Sequence, residues 1–112
     1  MSRQKGYDAE ALACQYLIEK GFKLLDKNYT TKAGEIDLIM QDRETLVFVE
    51  VKNRASIYFG YGFEAVDKKK RQRLILTAKQ YLVANHKYDK MPCRFDVISI
   101  DNGDIQWFCN AF

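Results

Sequence analysis

Apolar and polar residues recur along this chain with two different periods, and the change of period separates helices from strands. Between residues 9 and 17 the apolar positions return every three or four residues, the pattern of a helix with one buried face. Gly21 follows at the position where helices commonly end. We then predict a short strand from Phe22 to Leu25 and a turn region from Asn28 to Ala33.

Strict alternation marks two further strands, Glu35 to Gln41 and Thr45 to Lys52. The polar break between them is short, so it predicts a tight hairpin with Arg43 and Glu44 as its loop residues. A shift of one residue would destroy the matching of the two strands. This register gives an apolar face made of the pairs Ile36–Val51, Leu38–Val49 and Met40–Val47, and a polar face with Asp37 opposite Glu50 and Glu35 opposite Lys52.

The second half of the chain repeats the change of period. A helix is predicted from Val66 to Ala84, and two strands follow at Arg94 to Ile100 and Ile105 to Phe108. The helical apolar positions are Leu74, Ile75, Ala78, Tyr81 and Leu82. The order of elements predicts an α/β fold with a central mixed sheet of about five strands flanked by helices, and we expect residues 1–112 to form a single domain.

Composition narrows the class of protein. A hydrophobic fraction of 47% with 13% aromatic residues excludes a disordered chain. The sequence has neither an apolar run long enough to span a bilayer nor a signal-peptide core, so we expect a cytoplasmic protein with no membrane partner. The three cysteines, Cys14, Cys93 and Cys109, have no Cys-x-x-Cys spacing, which argues against a zinc site or a disulfide framework.

Positive charge is concentrated in one segment. Of the 18 lysines and arginines, five fall between Asp67 and Arg73 beside a single acid, so the rest of the chain is slightly acidic. The five occupy the first turns of the second predicted helix, where the helix dipole is already positive. Such a cluster suits a polyanion such as a nucleic-acid backbone, although a solvated helix face would look the same. The five are Lys68, Lys69, Lys70, Arg71 and Arg73.

The predicted pairing of Asp37 with Glu50 is unfavourable unless something binds between the two. Directly opposed side chains have Cβ atoms about 4.5–5.5 Å apart, and two carboxylates at that distance repel each other. Mg²⁺ or Mn²⁺ would remove the conflict, because both prefer carboxylate oxygens. Lys52 on the same face could orient an attacking water or neutralise charge at a phosphate. A solvated sheet face with surface ion pairs has the same pattern, so both interpretations stay open.

Two segments resemble the core of the PD-(D/E)xK nuclease superfamily: Gly34-Glu35-Ile36-Asp37-Leu38-Ile39 and Phe48-Val49-Glu50-Val51-Lys52-Asn53-Arg54. More narrowly, the chain resembles the YraN family of small bacterial proteins, which are similar to archaeal Holliday-junction resolvases. The resemblance covers nearly the whole chain, from the opening helix to the strand at Arg94-Phe95-Asp96-Val97. It departs from the superfamily pattern at Ile36, which stands where a proline usually precedes the aspartate.

This resemblance implies a restriction-endonuclease-like fold and a metal-dependent nuclease that cleaves phosphodiester bonds in DNA, including branched or flapped forms, with RNA not excluded. Asp37 and Glu50 would then be ligands of Mg²⁺ or Mn²⁺, Lys52 the catalytic lysine, and Glu10 a helix-borne catalytic acid. The alternative is a nucleic-acid-binding module on the same fold with little or no catalysis. Cutting two strands requires two sites, which favours a homodimer.

Three further features are less specific. Arg54, at the end of the second hairpin strand, is a candidate phosphate contact. The aromatic segment 57–63 could stack on unpaired bases, cap the core or form a subunit interface. Asp96 could support the site or could simply pair with Arg94 or Lys79.

Overall fold

The computed structural model describes residues 8–53, 67–88 and 90–112. In this part of the chain two α-helices and five β-strands form one α/β arrangement with a five-stranded mixed sheet, as the hydrophobic pattern predicts. The elements are α1 (Ala9–Glu19), β1 (Lys23–Thr31), β2 (Gly34–Asp42), β3 (Thr45–Asn53), α2 (Lys68–Ala84), a 3₁₀ turn (His86–Tyr88), β4 (Cys93–Asp101) and β5 (Asp104–Phe108).

The strands lie in the sheet in their chain order. β1, β2 and β3 form an antiparallel meander, and β4 and β5 form a second antiparallel pair. β3 and β4 are parallel, because α2 intervenes between them and returns the chain to the same end of the sheet.

The two helices cover opposite faces of the sheet. On the face covered by α1, which we call the α1 face, Ala13 and Leu17 pack against side chains of the three central strands. On the opposite α2 face, Leu74, Ala78 and Tyr81 do the same. The strand residues buried on the α1 face are Leu38, Met40, Val47, Val49, Ile98 and Ile100, and those on the α2 face are Ile36, Ile39, Leu46, Phe48 and Val97.

The predicted β2–β3 hairpin is confirmed over most of its length. Asp42 pairs with Thr45 around the Arg43–Glu44 loop, and the register continues to the pair Leu38–Val49. The predicted pair of Ile36 with Val51 is wrong. Ile36 packs on the α2 face while Val51 packs on the α1 face, because the regular ladder has ended between them.

The prediction for the segment after α1 is also wrong in its extent. β1 runs to Thr31 and only Lys32 and Ala33 form the turn, where the sequence predicts a turn region from Asn28 to Ala33. A register shift between Leu24 and Asp26 and the positive φ of Asn28, 52°, interrupt the alternation without ending the strand. As a sheet edge, β1 is also largely polar, which hides it from a hydrophobic pattern.

α2 begins at Lys68, and the carboxylate of Asp67 caps it by accepting a hydrogen bond from the Lys70 N–H at 2.8 Å. Of the apolar positions at helical spacing, Ile75 is not part of the core, since it is 38% exposed. Thr77 is buried in that region instead, with its hydroxyl donating to the Arg73 carbonyl. Neither described helix combines the length and the apolar character that crossing a membrane would require.

Candidate functional site

A pocket of about 440 Å³ lies between the beginning of β2, the middle of β3 and the first turns of α2. We call it the α2 pocket. Among the described residues its lining combines three acids with three bases, so a charged ligand rather than an apolar one suits it. The lining residues are Lys32, Ala33, Gly34, Glu35, Asp37, Glu50, Lys70, Arg73 and Leu74.

Gly34 allows α2 to approach the edge of this pocket. A Cβ atom at Gly34 would lie 3.2 Å from Oγ1 of Thr77 and 3.7 Å from Cβ of Arg73. The absence of a side chain therefore lets the first residue of β2 lie directly against α2. This close approach brings Arg73 to the same pocket as the acids of β2 and β3.

Asp37 and Glu50 do reach the same pocket, as the alternation predicts, although they are not partners in the regular ladder. Oδ2 of Asp37 accepts a hydrogen bond of 2.8 Å from the N–H of Val51. Burial and then the negative charge of Glu50 raise the pKa of Asp37 from 3.8 to about 7, against the opposing effect of the Val51 hydrogen bond. The two acids thus interact unfavourably across the pocket in the absence of a bound cation.

Glu50 is buried, with 5% of its surface exposed. Its Oε2 lies 2.7 Å from Nζ of Lys70 and 3.6 Å from Nζ of Lys52. A buried carboxylate needs such partners, because an unpaired charge in the interior is strongly destabilising. Within the described residues, lysines from two different elements therefore compensate the charge of Glu50.

The two lysines differ in their proton affinity. Burial lowers the pKa of Lys52, and the neighbouring charge of Lys70 lowers it further, with Glu50 opposing both effects. Burial also acts to lower the pKa of Lys70, but the hydrogen bond and charge of Glu50 outweigh it and raise the pKa. Lys70 is therefore the more firmly held cation, and Lys52 is the one that more readily exists as a neutral amine.

Glu10 is connected to the pocket residue Glu35 by hydrogen bonds through Asn28, which the sequence pattern did not predict. Nδ2 of Asn28 donates to Oε1 of Glu10 at 2.9 Å and to Oε2 of Glu35 at 3.0 Å. The charges of Glu10 and Glu35 both contribute to raising the pKa of Asp37, so the four acids share one electrostatic environment. The available signal for Asn28 is weak: asparagine tolerates a positive φ, but nothing in the alternation marks it as a bridge.

The predicted nucleic-acid-binding cluster divides into separate groups. Lys68 and Lys69 are exposed, while the guanidinium of Arg71 lies 5.6 Å from the ring centre of Phe112. Lys70 and Arg73 line the α2 pocket. Helical spacing is the signal that identifies Lys70, since it lies one turn before the buried Leu74.

Lys32 also lines the pocket and was missed, because it lies in the short turn before Gly34, outside any regular pattern. Arg54 and the aromatic segment 57–63 lie outside the described residues. Asp96 pairs with Arg94, one of the two structural partners predicted for it, and also accepts hydrogen bonds from Trp107 and Asn110. Its neighbour on β3 is Val49, which places Asp96 on the α1 face, away from the pocket.

The donor chemistry of the pocket suits a hard divalent cation. No group of three or more histidine, cysteine, aspartate or glutamate side chains is placed to hold a metal ion within residues 8–53, 67–88 and 90–112. Mg²⁺, however, is commonly bound through one or two carboxylates, with water and substrate phosphates completing its coordination. Asp37 and Glu50 fit that pattern. Burial and then repulsion from Glu50 raise the pKa of Asp37, and a bound cation would relieve that repulsion.

Comparison with known proteins places the chain in a bacterial family. Residues 9–100 match the uncharacterised protein family UPF0102. A UPF0102 protein of Pseudomonas paraeruginosa is 44% identical over 117 residues, covering 99% of this chain and 94% of the relative. Relatives from Saccharophagus degradans and Legionella pneumophila are 46% and 45% identical, with 97% and 100% of this chain covered and 92% and 97% of the relatives. The chain therefore belongs to the UPF0102 family, the YraN family that its motifs indicate.

Proposed function

We propose that this protein is a Mg²⁺- or Mn²⁺-dependent nuclease that hydrolyses phosphodiester bonds in DNA, with branched or flapped molecules among its substrates. The observation that carries the proposal is the meeting of Asp37 and Glu50 in one pocket that is also lined by three bases, Lys32, Lys70 and Arg73. Paired carboxylates suit the cation, and surrounding lysine and arginine side chains suit a phosphate. Few ligands other than a metal-bound phosphate satisfy both requirements together.

In this function Asp37 and Glu50 would hold the metal, and Glu10 would act as the helix-borne acid beside the site, reached through Asn28 and Glu35. The metal, when bound, lowers the pKa of a bound water and stabilises charge on the phosphate. Lys52 is suited to orient the attacking water or to neutralise charge that develops at the phosphate, because its Nζ lies 3.6 Å from Oε2 of Glu50 in the same site. Arg73 and Lys32 line the same pocket and bind the phosphate that is cleaved.

The remainder of the nucleic acid lies across the start of α2. Lys68 and Lys69 are exposed there and contact backbone phosphates, which supplies affinity without sequence preference. Cleavage of both strands of a branched molecule requires two such sites, so we propose that the protein acts as a homodimer in the cytoplasm.

The direct test is to incubate the purified protein with labelled branched, flapped, nicked, linear duplex and single-stranded DNA, and with a matched RNA, in Mn²⁺ or Mg²⁺. We expect cleavage of branched or flapped DNA that is lost in Asp37→Asn, Glu50→Gln and Lys52→Ala. Glu44→Gln is the matched control, because it removes an exposed acid in the hairpin loop, outside the pocket lining. The proposal fails if no substrate is cut, or if cleavage survives the double change Glu50→Gln with Lys52→Ala.

A second candidate is a nucleic-acid-binding module with little or no catalysis. It is favoured by the two lysines that compensate Glu50, since a site already neutral in charge does not require a metal. In that case neutralising Lys68, Lys69 and Lys70 abolishes retention of DNA and flattens its salt dependence, while Asp37→Asn changes nothing. Calorimetric binding of Mn²⁺ that disappears in Asp37→Asn would count against this candidate.

A further inference from the structure

Lys70 differs from the exposed bases that adjoin it in sequence. Its Nζ lies 2.7 Å from Oε2 of Glu50, whereas Lys68 and Lys69 are exposed to solvent at the start of α2. Lys52 contacts the same oxygen from 3.6 Å. The shortest ion pair in the pocket is thus made by a residue that charge patterning assigns to the outer surface.

The backbone fixes this placement. Asp67 caps α2 by accepting from the Lys70 N–H at 2.8 Å, which sets where the helix begins. Gly34 lets the same helix lie against β2. Lys70 then falls one turn before the buried Leu74, on the side of α2 that faces the sheet. Its side chain reaches across the pocket to Glu50 of β3.

This position has a consequence for cation binding. A divalent cation held by Glu50 and the Lys70 ammonium group, which lies 2.7 Å from Oε2, would carry charges of the same sign. Both would depend on the negative charge of one carboxylate, and they would repel each other at short range. The ion pair and the metal therefore compete for Glu50.

We propose that Lys70 is the resident counter-ion of Glu50, and that it must leave Oε2 when a divalent cation binds. This inference rests on the proposed metal site of Asp37 and Glu50. Lys70 is thus a positioning residue: it keeps a buried carboxylate compensated in the metal-free protein and is released beside Arg73, in the part of the pocket assigned to phosphate. Glu50 is then never left uncompensated, because one cation replaces another.

The experiment is calorimetric titration of the full-length, metal-free protein with MnCl₂. We expect Lys70→Met to bind Mn²⁺ about tenfold more tightly than the unmodified protein, because the competing charge-assisted hydrogen bond is gone. Lys70→Arg restores a cation and returns the affinity to within about threefold of the original. Lys79→Met is the matched control: it removes the same charge from an exposed position of the same helix and leaves the affinity unchanged. Circular dichroism verifies folding, and Lys70→Gln provides a second neutral variant.

Equal or weaker Mn²⁺ binding in both Lys70→Met and Lys70→Gln, with normal binding by the unmodified protein, overturns the inference and leaves the proposed metal site standing. Absence of Mn²⁺ binding in every variant, the unmodified protein included, overturns both. Tighter binding in the two neutral variants, with no change in Lys79→Met, supports the role given to Lys70.

Discussion

Oδ2 of Asp37 accepts a hydrogen bond of 2.8 Å from the backbone N–H of Val51, just beyond the last regular pair of the β2–β3 ladder. A side-chain oxygen of one strand thus takes the place of a backbone carbonyl at the point where the two strands separate. Asp37 has a structural role as well as a chemical one, since its carboxylate is oriented by the backbone of the neighbouring strand. Its replacement tests the two roles separately.

Asp37→Asn and Asp37→Ala should affect stability differently. Asparagine keeps an oxygen that can accept from the Val51 N–H and removes the repulsion with Glu50, so we expect the free energy of unfolding to be equal or higher in metal-free protein. Alanine leaves the N–H without its acceptor, and we expect it to be about 1–2 kcal/mol less stable than the asparagine variant. Urea unfolding at pH 8 with a chelator measures both. Equal stability of the two variants would show that this hydrogen bond contributes nothing.

The raised pKa of Asp37 predicts how stability changes with pH. Because its folded-state pKa is about 7 against an ordinary 3.8, the folded state binds the proton more tightly than the unfolded state. Its stabilising contribution is full below about pH 4 and is lost as the pH rises through 7. In metal-free protein we expect the unfolding free energy, relative to Asp37→Asn, to fall by about 2–4 kcal/mol between pH 4 and pH 8.

Urea unfolding of the two proteins across that pH range tests this prediction. The asparagine variant is the necessary control, because the other carboxylates titrate in both proteins and cancel in the difference. A difference that stays constant with pH would contradict the raised pKa of Asp37. Mn²⁺ should reduce the loss above pH 7, since a bound cation stabilises the ionised pair.

The stability of variants at position 28 should depend on the charge of the new side chain more than on its size. Asn28→Asp keeps a residue that tolerates the positive φ of 52°, but it replaces the shared donor with a third carboxylate beside Glu10 and Glu35. We expect a loss of about 1–2 kcal/mol in low salt that shrinks in high salt, because salt screens the repulsion among these exposed carboxylates. Asn28→Gly removes the donor without adding charge, so its smaller loss should vary little with salt concentration. Equal losses of the two variants in low salt, measured by urea unfolding at pH 8, would contradict the bridging role.

Gly34 should be intolerant of a side chain because of Thr77. In Gly34→Ala the new Cβ would lie 3.2 Å from a buried hydroxyl that is itself held by its hydrogen bond to the Arg73 carbonyl. We expect a loss of about 1–2 kcal/mol of stability, since the helix must move away from β2. In a Thr77→Ala background the same change should cost little. Thermal unfolding of the four proteins of this double-mutant cycle measures the stability loss of Gly34→Ala in both backgrounds. An equal loss in both would mean that the new Cβ clashes with a residue other than Thr77.

The alternation of apolar and polar residues predicts the fold correctly where the tertiary contacts follow the same two-residue period. The β2–β3 register follows from a two-residue polar break and matched apolar faces, and it is confirmed from Asp42–Thr45 to Leu38–Val49. The predicted register does not extend to Ile36 and Val51. There the N–H of Val51 donates to the Asp37 side chain. The pattern predicted only the beginning of β1. An edge strand needs few apolar residues, and the positive φ of Asn28 interrupts the alternation without ending the strand.

Local patterns were enough to predict the order of elements and the hairpin that carries Asp37 and Glu50, because both depend on residues close together in the chain. The family is indicated by the motifs of the chain and shown by its similarity to relatives. Helical spacing offers a signal for Lys70, but the entry of Arg73 into the pocket and the bridge of Asn28 between Glu10 and Glu35 follow only from the folded structure. The reason is physical: the rotation of α2 against the sheet depends on its cap at Asp67 and its approach to Gly34, and no local pattern of charges encodes that contact.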